Sequence, residues 1–388
     1  MKLAIINGRV LTMADKGKKV IECGTLLING GIIEKVMEKK ADIPAEYRLI
    51  DAKGCYVLPG FVEAHCHMGI TEEKKGMEGD DCNENVNPVT PSLRAIDAIN
   101  PMDDAFHEAV RAGITTAMIG PGSSNVVGGQ FVVVNNHGRC MDDMILRFPA
   151  ALKIAFGENP KVNYSGMGKS PSTRMAIAAI LRRELLNAKQ YLYQRGEDQD
   201  TDLHYEAYRA VFEKRIPLKA HVHRADDILT AIRIAKEFGL DMTLDHCSEG
   251  HLIADEIKKS GFPAIVGPDL ASRNKIEVKN MAFKTAGILA KAGVLTAITT
   301  DHPVSIIQTL PICASLAVKE GMSMEDALKA ITINAAKICR VDDMVGSLEP
   351  GKHADISIFD RHPFDIFAKA MCVLIGGNVV YRAPEFFL

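Results

Sequence analysis

The stretch Cys55-Tyr56-Val57-Leu58-Pro59-Gly60-Phe61-Val62-Glu63-Ala64-His65-Cys66-His67 decides how this chain is read. An apolar run is broken by Pro59-Gly60 and resumes as Phe61-Val62, a turn feeding a buried strand. That strand ends in His-Cys-His. Side chains alternate along a strand, so His65 and His67 leave one face, within reach of a single cation, while Cys66 points the other way. A pair of surface histidines at a strand end has the same local pattern, so the weight falls on the rest of the chain.

Composition sets the class. The chain has 388 residues, 47% hydrophobic and 24% charged, enough for a large core and one or two domains. A net charge of -3 with both signs interspersed gives no polyanion surface, so nucleic acid is not an expected partner. The opening Met-Lys-Leu-Ala-Ile-Ile-Asn-Gly is too briefly apolar for a secretory leader, and no apolar run reaches the roughly 18 residues of a membrane span. A cytoplasmic protein with no membrane association is expected. Nine cysteines without paired spacing argue against a disulfide framework and against a Cys-x-x-Cys zinc site.

Upstream of the opening stretch, residues 3–11, 25–28 and 32–36 are β-rich, and Asn29-Gly30-Gly31 between apolar runs is a hairpin signal. The same style returns at the far end, in residues 354–359, 372–375 and 378–381 around Gly376-Gly377. A small β-domain shared by both termini is expected, from residues 1–58 and 347–388, with residues 59–346 between them. There, short β-branched runs alternate with helical stretches, as in a parallel sheet or (β/α) barrel.

Within that middle part, residues 69–102 are polar and rich in Asn, the expected long loop over an active-site mouth. Residues 103–112 read as a helix and 113–119 as the second strand. The glycine-rich 120–129 precedes a strand-like 131–134 and not a helix, which weakens a phosphate-loop reading. The strand 150–156 carries Lys153, costly in a buried strand unless paired or modified, and is followed by Glu158-Asn159-Pro160. Residues 171–193 and 203–215 read as helices, with Arg174 near the start of the first. A second His-x-His, His221 and His223, closes the strand-like run 216–223. The next strand ends at Asp245-His246, where alternation turns Asp245 away from the face of His246; His251 lies just beyond. Residues 263–268 form a strand without ionisable groups, and 294–301 is an apolar strand ending in Asp301, followed by His302-Pro303.

The pattern Pro-Gly-Phe-Val-Glu-Ala-His-Cys-His resembles the first-strand signature of the amidohydrolase superfamily of metal-dependent hydrolases. The resemblance covers nearly the whole chain, including the return from barrel to β-domain in residues 331–336 and 345–355, and it is strongest to the imidazolonepropionase-related branch, whose members hydrolyse cyclic amides or peptide-like bonds. It implies an α/β fold, a (β/α)8 TIM-like barrel beside a discontinuous β-sandwich. It also implies that His221, with His223 as its rival by parity, and His246 are the third and fourth histidines of the metal site. A lysine on such a strand is carboxylated in many members and bridges two metals, while in others a glutamate before Pro takes its place. Lys153 matches the first pattern and Glu158 the second; the expectation leans to Glu158, which lies past the strand at the barrel's C-terminal face.

His65, His67, His221, His246 and Asp301, with Lys153 or Glu158, all fall at predicted strand ends, and strand ends in a (β/α) barrel share one mouth. Imidazole and carboxylate ligands suit Zn²⁺ best, as one or two ions. Such a cation activates water and polarises a carbonyl, with Asp301 as general acid/base and His246 as ligand or donor. The expected activity is hydrolysis of a C–N bond in a small amide, cyclic amide or dipeptide-like substrate, with His223, His251 and Arg174 as candidate substrate contacts. A deaminase on the same site is the alternative. A non-catalytic scaffold is disfavoured because the ligand residues are kept. A homo-oligomer is the expected state.

Overall fold

The computed structural model describes residues 1–38, 43–73, 76–194 and 200–386. Two eight-stranded sheets organise them. The first combines β1 (Lys2–Leu11), β2 (Val20–Asn29), β3 (Ile32–Met37), β4 (Arg48–Asp51) and β5 (Tyr56–Pro59) with three strands from the far end of the chain, β14 (Ile356–Phe359), β15 (Ala370–Ile375) and β16 (Asn378–Arg382). Its order is β16-β15-β14-β5-β1-β2-β3, with β4 also on β1.

The two ends of the chain therefore meet in one sheet, as their shared strand style suggests. The hydrogen bonding is continuous and is not divided into the two separate sheets of the expected sandwich. The reason lies in β1, whose residues 3–6 pair with β4 and whose Arg9 and Val10 pair with β5. One long strand thus serves several partners. Leu3, Ile5, Val10, Ile28, Ile356 and Leu374 pack in a single apolar cluster. At the β2–β3 turn Gly31 has φ +86, and a Cβ there would meet the Gly376 carbonyl oxygen at 2.6 Å. Only glycine allows the two termini to approach so closely.

The second sheet runs β6 (Phe61–Cys66), β7 (Ile114–Ile119), β8 (Val127–Asn135), β9 (Ile145–Ala155), β10 (Leu218–Val222), β11 (Met242–His246), β12 (Ala264–Val266) and β13 (Thr296–Ile298). This is the expected eight-stranded barrel sheet, with one departure. Neighbouring strands pair in parallel except that β8 is antiparallel to both β7 and β9. The connection 120–126 is too short for a crossover helix, which a parallel pair requires, so the chain simply reverses. The long loop 69–102, outside residues 74 and 75, is tied along the same strand: the Thr90 hydroxyl donates to the Val127 and Gly128 carbonyls, and Gln130 N–H donates to Leu93 O.

The seam between the first and last strands is closed by side chains. Glu63, buried on β6, accepts from the hydroxyls of Thr299 (2.5 Å) and Thr300 (2.7 Å) and from Thr300 N–H (2.9 Å). His67 N–H donates to His302 O at 2.8 Å. These bonds fix the two segments that carry His65, His67 and Asp301 against each other. Outside the sheet, the expected helix over 171–193 is observed as Arg174–Gln194, and that over 203–215 as two short turns, Leu203–Glu206 and Arg209–Phe212. Among the described residues no helix is long and apolar enough to cross a membrane.

Candidate metal centre

Strand β6 delivers His65, with His67 one residue beyond its end; β10 delivers His221, with His223 one beyond; β11 ends in His246; and Asp301 lies three residues past β13. All six side chains are buried. Asp301 Oδ1 lies 3.3 Å from His65 Nε2 and 3.2 Å from His67 Nε2. Two trios each have ligand atoms within 4.8 Å of one another: His65, His246 and Asp301, and His221, His223 and His246. His246 belongs to both.

The imidazoles are oriented through their Nδ1 atoms. His67 Nδ1 and His246 Nδ1 donate to the carbonyls of Gly120 and Gly267, each at 2.7 Å. His65 Nδ1 lies 3.0 Å from Asp245 Oδ2, and His223 Nδ1 lies 2.8 Å from the Ser248 hydroxyl. A carbonyl accepts only, so the neutral tautomer has its proton on Nδ1 and its lone pair on Nε2. Ring orientation by an outer carboxylate or carbonyl is the usual arrangement of metal-binding histidines. His246 Nε2 and Asp301 Oδ1 are buried without hydrogen-bond partners. Such atoms are costly unless something else satisfies them, and donors of this kind fit a divalent cation.

Backbone conformation sharpens the site. His246 (φ 74), Cys247 (φ 47) and Asp301 (φ 51) are left-handed without being glycine, which is uncommon and concentrates at functional sites. The turn at His246 brings its ring to 4.5 Å from His221 and 5.1 Å from His65, centroid to centroid. It also upsets the alternation argument for Asp245. That carboxylate does not leave the site; it lies against His65 and 3.3 Å from Lys219 Nζ inside the barrel.

Lys153 and Glu158 separate clearly. Lys153 is fully buried with Nζ 3.4 Å from His65 Nε2 and over the Phe131 ring, 5.5 Å from its centroid. Glu158 opens the helix Glu158–Gly166, gives its backbone N–H to Glu277 Oε2 at 2.8 Å, and is in neither ligand trio. Of the two, Lys153 lies against His65, while Glu158 Oε2 is buried without a hydrogen-bond partner. Burial lowers the Lys153 amine to about 8, with Asp245 and Asp301 opposing the shift. Burial also pushes His223 down to about 4 and holds His221 and His246 well below the usual imidazole range. Asp301 behaves in the opposite sense. Burial alone would raise it, but His246, His65 and His67 keep its carboxyl well below the ordinary value.

The cluster opens into a cavity of about 510 Å³ lined by His67, His221, His223, Asp301, Asn159 and Lys275, among others. Two expected substrate contacts are not there. His251 Nδ1 pairs with the Thr285 hydroxyl at 3.0 Å, and the side chain does not line this cavity. Arg174 is held by Asp227 at 2.9 Å and borders a different cavity. In both cases a partner distant in sequence, Asp227 or Thr285, holds the side chain elsewhere. His223 does line the cavity.

Residues the sequence reading missed are Glu277, Lys275 and Cys82. Glu277 is buried, with Oε1 at 3.8 Å from His221 Nε2, 3.9 Å from His223 Nε2 and 2.7 Å from Lys275 Nζ. It sits on a single 3-10 turn, Ile276–Val278, too short to leave a periodic pattern in the sequence. Cys82 returns from the long loop to hydrogen-bond His67 and Thr71; burial raises its thiol, but His67 beside it draws it down overall.

A model of the amidohydrolase family matches residues 56–381. The crystal structure of an amidohydrolase from Thermotoga maritima MSB8 superposes with a TM-score of 0.94 at 39% identity, covering 98% of this chain and 100% of that one. Among curated proteins, amidohydrolase tasK of Hapsidospora irregularis is 26% identical over 93% of this chain, which spans only 40% of that relative's length. A dihydroorotase of Elusimicrobium minutum is 22% identical, covering 95% of this chain and 90% of the relative. An imidazolonepropionase of Picrophilus torridus is 25% identical, covering 91% and 90%.

Proposed function

Because the chain belongs to the amidohydrolase family, matched over residues 56–381, we propose that it is a metal-dependent hydrolase of a C–N bond in a small cyclic amide. The observation that carries this reading is the convergence of imidazoles on Asp301, with several Nδ1 atoms anchored and His246 Nε2 buried without a partner. His65, His67 and Asp301 would hold one divalent ion, and His221 and His246 a second, with zinc the best match to the donor types. When bound, such ions supply an activated water and polarise a carbonyl.

The chain's own residues do the rest. Asp301, kept ionised among the imidazoles, accepts a proton at a carboxylate oxygen and returns it to the leaving nitrogen. The cavity accepts a small molecule. Lys153, with its amine lowered to about 8, carries a neutral fraction whose nitrogen can bond to CO₂ with release of one proton to water, and the carbamate oxygens beside His65 would serve as further ligands. The names of two relatives, a dihydroorotase and an imidazolonepropionase, favour a cyclic amide over other amides.

Elemental analysis of protein purified without chelator, combined with a panel of cyclic amides, tests the reading. Wild-type protein should hold two ions per chain and open a cyclic amide to an acid without releasing ammonia. Lys153→Ala should lose metal and activity, while Glu158→Ala should keep its metal. Ammonia release would favour a deaminase, and a metal-free, inactive wild type would overturn the proposal.

A further inference from the structure

Among the histidines of this site, His223 has no task in the arrangement above. It lies one residue past β10, two from His221, so alternation puts both rings on one face, with centroids 4.6 Å apart. The in-register pair Val222–His246 places His246 beside them, with its ring 4.5 Å from His221 and 4.8 Å from His223. The three offer ligand atoms within 4.8 Å of one another. We infer that His221, His223 and His246 form a three-imidazole metal site, so that one ion is held by three histidines and not by two. The inference rests on the metal-dependent reading of the cluster.

Three features support it. His223 Nδ1 is engaged by the Ser248 hydroxyl and His246 Nδ1 by the Gly267 carbonyl, so in each ring Nε2 is the nitrogen left to face an ion. His246 Nε2 is buried with no partner. Finally, three neutral imidazoles bring no negative charge to offset a buried dication, and the carboxylate that faces them is Glu277, whose Oε1 lies 3.8 and 3.9 Å from the Nε2 atoms of His221 and His223 and is shared with Lys275 Nζ at 2.7 Å. Tetrahedral zinc with bonds of about 2.0 Å requires donor atoms about 3.3 Å apart, so the ion would draw the three rings inward. A substrate contact would need neither the shared convergence with His246 nor the facing carboxylate.

The test is metal binding, read without turnover. Chelator-stripped protein is titrated with Zn²⁺ against a chromophoric competitor, in wild type, His223→Gln and His223→Cys. Wild type should show two classes of ion. In His223→Gln one class should weaken by more than the roughly 10–100-fold that loss of an outer-shell partner costs, while the other is unchanged. His223→Cys, loaded with Co²⁺, should gain a thiolate-to-cobalt charge-transfer band absent from wild type, a result that also shows the variant is folded. A His223→Gln protein with wild-type affinity in both classes, or weakened only within the outer-shell range, overturns the inference and leaves the hydrolase reading standing. A wild type that binds no ion overturns both.

Discussion

A carboxylate 3.2 and 3.3 Å from two imidazole nitrogens in a buried pocket is held ionised by its neighbours, and Asp301 is such a group. Its left-handed backbone is a cost that its position offsets, since that turn carries the side chain back over the end of β6. Asp301→Asn keeps shape and loses basicity. Turnover should fall by roughly 10²–10⁴, while the protein retains most of its metal by elemental analysis. Activity near wild type would remove Asp301 from the proton path. Lys153 and Lys219 illustrate a related point. Each puts its Nζ 5.5 Å from the Phe131 ring centroid, yet among the described residues only Lys219 has a carboxylate within ion-pair distance, Asp245 at 3.3 Å. Lys153 instead lies beside His65.

At the scale of elements, the joint between the two sheets is held where the chain returns from the barrel into β14. Asp355, just before β14, accepts from Gly376 N–H at 2.7 Å, and its backbone carbonyl accepts from Gly60 N–H at 2.9 Å. Burial raises the Asp355 carboxyl from 3.8 to about 6, against the Gly376 hydrogen bond. The folded protein thus binds this proton more tightly than the unfolded chain. The group's stability contribution is complete below about pH 3.8 and is lost as pH rises through about 6. Asp355→Asn should therefore be more stable than wild type at pH 8, on the order of 2–3 kcal/mol, with the difference shrinking towards pH 4. Urea unfolding at a series of pH values measures this. A constant difference across the range would show that Asp355 does not titrate as argued.

At the scale of the molecule, the candidate metal centre joins segments far apart in the chain, from His65 on the first barrel strand to Asp301 beyond the last. An ion bound there stabilises the folded state by mass action, by about 4 kcal/mol at a thousandfold excess over its dissociation constant. Removing metal with a chelator should lower the unfolding temperature by several degrees, and added Zn²⁺ should restore it. An unfolding temperature indifferent to both would mean that the imidazoles carry no ion in the folded protein.

Much of this was legible in the residues themselves. Short windows of hydrophobic alternation, the Pro59-Gly60 break and the two His-x-His pairs marked the barrel strands and their mouth, because strand periodicity and turn chemistry are local properties. The hairpin glycines at both ends likewise marked strands that share a sheet. What the tertiary structure decided were the matters that depend on partners distant in sequence. The reversal of β8 follows from where the 120–126 connection lands. Lys153 meets His65, 88 residues away, only through the closing of the barrel. Arg174 and His251 left the site because Asp227 and Thr285 bind them, and Glu277 entered it from a stretch without periodicity. Local sequence specifies which groups a strand end presents; the side chain that meets each of them is set by packing across the whole barrel.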